Sequence, residues 1–124
     1  MMETTVRRAE IFDSAQALSS VGGDNEFLSE VVGIIRAAWP TLLADLRDEI
    51  ARGDLPAVEA TAHLAKAAAG YVSARRSYES ALQLETVAGK GDLQAIPGAV
   101  ANLEREVLML QFFLATHGEN EKPS

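Results

Sequence analysis

The sequence predicts an all-α protein, an antiparallel up-down-up-down four-helix bundle preceded by a short N-terminal helix. Three observations carry this expectation. Apolar residues recur at three- and four-residue steps along most of the chain, no segment alternates with period two for long enough to make a strand, and the helical stretches are divided by short Gly/Asp punctuation. Short connections favour antiparallel neighbours. At 124 residues, 48% hydrophobic and 23% charged, the chain has the size and composition of one globular domain. The expected organisation is a tail over 1–10, a single bundle over 11–117 and a polar tail over 118–124.

A weak amphipathic piece from Ile11 to Leu18 comes first. Three turns then share one grammar: "VGGD" at 21–24, "RGDLP" at 52–56 and "GKGDL" at 89–93. A glycine at a helix C-terminus is followed by an aspartate suited to cap the next N-terminus. After Asp24, the residues Phe27, Leu28, Val31, Val32, Ile35, Leu42, Leu43, Leu46 and Ile50 keep helical spacing. Pro40 interrupts them, so this is one long helix kinked near Trp39 or two abutting helices. After Asp54, with Pro56 tolerated in a first turn, Leu55, Val58, Ala62, Ala65, Ala69 and Val72 form the next stripe. Leu82, Leu84, Val87 and Ala88 mark a third helix beginning near Ala74. Val100, Leu103, Val107, Leu110 and Leu114 mark the fourth.

Composition narrows the function. There is no cysteine, hence no disulfide framework, thiol nucleophile or Cys-based zinc site. A net charge of −7 repels phosphate backbones and argues against nucleic acid as the main partner, while favouring solubility. The opening twenty residues lack the apolar block of a signal peptide. The best apolar run, "VLMLQFFLA" at 107–115, is broken by Gln111 and is too short to span a bilayer. A soluble cytoplasmic protein with no membrane or nucleic-acid partner is expected.

The second main helix holds an anomaly, "EATAHLAKAAAGYVSA" at 59–74. At roughly 100° per residue its apolar stripe fills an arc of about 100°, and His63 lies roughly 130° from the middle of that arc. The imidazole therefore points outward. Glu59, Lys66, Ala67 and Gly70 share its side, with Lys66 nearest the core edge. Ala67 and Gly70 stand where a soluble helix normally carries Lys, Glu or Gln. They leave low ground on which another protein can come close, although a mid-helix glycine costs about 1 kcal/mol. A neutral imidazole is a competent nucleophile toward a phosphoryl group near pH 7, and an ammonium at i+3 can offset phosphoryl charge.

"AHLAKAAAGYVSA" resembles the phospho-site helix of histidine-containing phosphotransfer (HPt) domains, whose pattern reads roughly A-H-x-L-K-G-S-A-x-x-L-G-A. Ala62, His63, Lys66, Ala69, Val72 and Ala74 stand at matching positions. "VGGDNEFLSEVV", "LLADLRDEIARGDLPAVEATAH" and "LETVAGKGDL" resemble the flanks of that family in order, and the similarity spans about 11–115. The resemblance implies a four-helix-bundle phosphocarrier rather than an enzyme, working with receiver domains and possibly a hybrid histidine kinase in a phosphorelay. By position, His63 would be the phospho-acceptor, Lys66 the phosphate-neutralising residue and Glu85 a residue that orients the histidine. Glu59, Ala67 and Gly70 would lie in the docking face. No cofactor is implied for this chain, which is expected to be a monomer. The magnesium would come with the receiver, and no Gly-rich nucleotide loop is present.

The chain departs from the family at Ala67 (a Gly), Ala68 (a Ser), Ser73 (a Gly) and Leu64–Ala65 (a polar residue, then Leu). These departures raise a second reading, a degenerate module that binds a receiver or kinase without efficient transfer. A third is a bundle whose bare patch serves homodimerisation. Elsewhere, His117 reads as part of a frayed helix end. Arg75 and Arg76 read as docking residues or a solvated corner, and Trp39 as packing at the Pro40 kink. Met109, Phe112 and Phe113 read as core or apolar flank, and Glu104 and Glu106 as a solvated face.

Overall fold

A computed structural model describes residues 7–121 and contains six helices: α1 (Arg8–Ile11), α2 (Ser14–Ser20), α3 (Asn25–Ala51), α4 (Leu55–Tyr71), α5 (Arg75–Gly89) and α6 (Ile96–Glu121). No strand occurs among the described residues. Residues 1–6 and 122–124, the outer parts of the two expected tails, lie outside them. α1 begins within the segment expected as the first tail, and α6 continues into the segment expected as the second.

The punctuation works as its chemistry predicts. Asp24 accepts a hydrogen bond from Phe27 N at 3.0 Å, and Asp54 one from Ala57 N at 3.2 Å. Each cap satisfies a backbone N–H that the first helical turn leaves without a partner. At Gly53, with φ +68°, the chain reverses through two bonds, Asp54 N to Glu49 O and Gly53 N to Ile50 O. This is the paired C-terminal motif that glycine adopts without a β-carbon penalty. Asp92 behaves differently from expectation. It accepts from Ala95 N at 3.3 Å and closes a turn, while α6 starts only at Ile96.

α3 is a single helix with Pro40 inside it. Proline has no N–H to donate to the carbonyl four residues back, which here is Arg36. Gln111 of α6 supplies the missing donor, its Nε2 lying 3.0 Å from Arg36 O. Trp39, fully buried, anchors the same turn.

Around the bundle α3 packs on α4, α4 on α5, α5 on α6 and α6 back on α3; α1 lies against α5 and α6. Leu28, Trp39, Leu46, Leu84, Leu103, Leu110 and Leu114 fill the interior. From α4 come small residues: Val58, Ala62, Ala65, Ala68 and Ala69 are all buried. Small side chains let adjacent helices approach closely, so α4 sits tightly between α3 and α5. By length and composition alone α3 is apolar enough to cross a bilayer, yet Leu28, Val32, Ile35, Trp39 and Leu46 are spent on the bundle core.

Two sequence expectations, for Glu106 and His117, are corrected by this packing. Glu106 is not on a solvated face. It is 5% exposed and bidentate with Arg76, whose Nε and Nη2 lie 2.9 and 2.7 Å from its two oxygens. This pair ties α5 to α6, and Glu106 raises the Arg76 guanidinium above its ordinary value. Leu82, which marked the third helix, lies on α5 but is 42% exposed, because the inward face of α5 passes through Ser77, Ala81 and Leu84. His117 is not in a frayed end: its ring meets Phe12 edge-on at 5.3 Å. Arg75 stays on the surface, its side chain 65% exposed, and pairs with Glu10 at 3.3 Å and Glu79 at 3.8 Å.

Candidate functional site

His63 lies on the outward face of α4, its side chain 61% exposed. The helix wheel placed it there, and the structure agrees because Val58, Ala62, Ala65 and Ala69 consume the opposite face. One turn on, Lys66 leans over the α4–α5 groove. Glu85 rises from α5 to meet both. Its Oε2 lies 2.8 Å from His63 Nδ1 and its Oε1 lies 2.8 Å from Lys66 Nζ, with both Lys66 and Glu85 19% exposed. Three side chains from two helices therefore form one charged cluster around a single carboxylate.

The electrostatics fix the proton positions. Lys66 chiefly, and His63 after it, hold the Glu85 carboxyl below its ordinary value against the opposing effect of burial. Glu85 in turn raises the Lys66 ammonium. An ionised carboxylate only accepts hydrogen bonds, so the short contact places the ring proton on Nδ1. In the neutral ring Nε2 then carries the lone pair, and no other described residue bonds to the imidazole. An exposed nucleophilic nitrogen beside a held ammonium is the result.

The ground around it is low, as expected, but not uniformly bare. Ala67 is exposed one turn beyond His63. Gly70 has the Tyr78 ring nearby, at 3.8 Å from where a β-carbon would stand, so a methyl would fit. Glu59 folds toward α5, with Oε2 2.8 Å from where a β-carbon on Gly89 would be. Gly89 thus leaves room for that carboxylate. Leu64 and Tyr71, spaced seven apart, are 58% and 66% exposed and add an apolar flank. The sequence reading missed them as surface residues, although their position on the same helical wheel was the signal.

Two departures take on a structural meaning. Ala68 is buried, facing the bundle interior, so the absent serine hydroxyl bears on packing. Ser73 has φ +53°, in the left-handed region that suits glycine. It completes the α4 C-terminus through Ser73 N to Gly70 O and Ala74 N to Ala69 O, and its carbonyl accepts from Asp13 N at 3.0 Å. The N-terminal segment is thereby fastened to the end of the site helix.

Comparison with known proteins follows the same outline. A family model described as Hpt domain matches residues 30–112. The fold is similar to the HPT domain from the Hpt sensor hybrid histidine kinase of Shewanella, with a TM-score of 0.82, 9% identity, and coverage of 93% of this chain and 99% of that one. It is also similar to histidine-containing phosphotransfer protein B (HptB) of Pseudomonas aeruginosa PAO1, with a TM-score of 0.80, 21% identity, and coverage of 86% and 94%. No curated protein matches.

Proposed function

This chain belongs to the Hpt domain family, and on that premise we propose that His63 is its phosphoryl-bearing residue, exchanging the group with receiver-domain aspartates in a phosphorelay. The module is a phosphocarrier. The observation that carries the assignment is the exposed imidazole whose Nδ1 is engaged by Glu85, leaving Nε2 toward solvent.

The chemistry is a substitution at phosphorus. The Nε2 lone pair attacks the phosphorus of an aspartyl phosphate, the P–O bond breaks and the aspartate leaves with that electron pair as a carboxylate. Nδ1–H remains donated to Glu85, which stabilises the positive charge the ring acquires. Lys66 lies close enough to offset phosphoryl charge as a point cation. The magnesium belongs to the receiver, and transfer depends on positioning and charge rather than on a group bound by this chain. Leu64, Ala67, Gly70, Tyr71 and the flanking Glu59 form the docking face. The working state is a cytoplasmic monomer.

Incubation with a phosphorylated receiver domain should move acid-labile label onto the protein, and His63→Gln should abolish it. Label retained by that variant removes the assignment. Ala67 motivates a second reading: its methyl stands where a receiver must approach, in keeping with a domain that binds without efficient transfer. Receiver binding with no detectable label would select this reading, and rapid transfer would end it.

A further inference from the structure

Glu85 does more than aim the ring. From its position between the imidazole and the ammonium we infer that this carboxylate keeps phospho-His63 in a labile, donor-ready form rather than a stored one. The inference rests on the reading of His63 as the phosphoryl-bearing residue.

The argument begins with the leaving group. When the N–P bond of a phosphoimidazole breaks, the ring nitrogen takes the electron pair. If Nδ1 keeps its proton the ring leaves as a neutral imidazole, a good leaving group. If that proton has been lost, the ring must leave as an imidazolide anion, a poor one. Glu85 Oε2, 2.8 Å from Nδ1, holds the proton there with a charge-assisted bond. The same carboxylate engages Lys66 Nζ at 2.8 Å, so the ammonium is shared with Glu85 instead of being given wholly to the phosphoryl oxygens. The first effect keeps the ring in the protonated form from which the N–P bond breaks, and the second withholds part of the ammonium's charge from the phosphoryl group. Among the described residues no other acidic group bonds to either partner, so the influence belongs to one side chain.

The role is that of a positioning residue, and Glu85→Gln isolates it. The amide keeps an oxygen for Nδ1–H but removes the charge, which weakens the hold on the proton and releases Lys66 to the phosphate. Small-molecule phosphoramidate serves as the probe: Nε2 attacks its phosphorus, the P–N bond breaks and ammonia leaves, so no partner protein is needed. The half-life of phospho-His63 is then followed by phosphorus NMR for the folded wild type, the urea-unfolded wild type and folded E85Q. The folded wild type should lose its phosphoryl group faster than the unfolded chain, and E85Q should prolong the lifetime about two- to fivefold, the range expected for a partly solvated charge contact. An E85Q lifetime equal to or shorter than wild type overturns the inference. If E85Q does not fold, a folded wild-type lifetime equal to or longer than the unfolded one overturns it instead. Labelling that is the same in His63→Gln shows that His63 is not the acceptor, and this failure is distinct from that of an acceptor whose lifetime Glu85 does not affect.

Discussion

At His63 the deciding quantity is the division of one carboxylate between an imidazole and an ammonium. In the proposed role, Lys66 is needed most where the phosphoryl group is moving, because charge in flight is worth more stabilisation than charge at rest. Lys66→Ala should therefore slow transfer more than it weakens receiver binding, and equal losses in rate and affinity would contradict that role. The pair also leaves a pH signature. Glu85 is held below its ordinary value of 4.5, so its pairing stabilises the fold above that pH and the contribution fades as pH falls through the lowered value. Lys66 is held above its ordinary 10.5, so its side of the pairing is present below that pH and is lost as pH rises further. Thermal melts should show an acid limb that is shallower in E85Q than in wild type. Ala67 makes a different prediction: Ala67→Gly should lower stability by about 0.5–1 kcal/mol and raise the transfer rate. An unchanged rate would mean that the methyl does not hinder docking.

Among the elements, α4 and α3 each carry a local misfit with a visible remedy. The end of α4 places Ser73 at φ +53°, a conformation that costs a residue with a β-carbon about 1–2 kcal/mol. Ser73→Gly removes that cost but adds chain entropy to the unfolded state, so a net gain of about 0.5–1 kcal/mol is expected in urea melts. A loss would indicate that the serine side chain has a role its backbone does not reveal. In α3, Pro40 leaves the Arg36 carbonyl to Gln111. Replacing Gln111 by Leu should cost about 1 kcal/mol, the net worth of one hydrogen bond. The sequence displayed Pro40 plainly and left one kinked helix and two helices equally open. The deciding residue lies on another helix 71 positions away in the chain, where no local pattern reaches.

For the molecule as a whole, the polar fastening between α5 and α6 matters more than its surface position in the sequence suggests. Glu106 is buried and, among the described residues, is paired with Arg76 alone. Removing the arginine strands a carboxylate in the interior, and Arg76→Ala should destabilise the bundle by about 2–3 kcal/mol while leaving the His63 cluster on the other side of α5 intact. Chemical denaturation together with phosphoramidate labelling would separate these effects. Equal damage to both would show that the two sides of α5 are coupled.

The sequence by itself determined the all-helical class, the capping aspartates, the apolar stripes and the outward direction of His63. These follow from periodicity and capping, which act over a turn or two of helix. It also singled out Glu85 beside His63, but through family resemblance rather than local pattern. Only the tertiary structure decided that Glu85 engages His63 and Lys66 together, that Glu106 is sheltered by Arg76, and that Leu82 faces water. Each of these depends on which faces of distant helices meet, and on whether a charge that looks exposed in its own helix finds a partner across the groove.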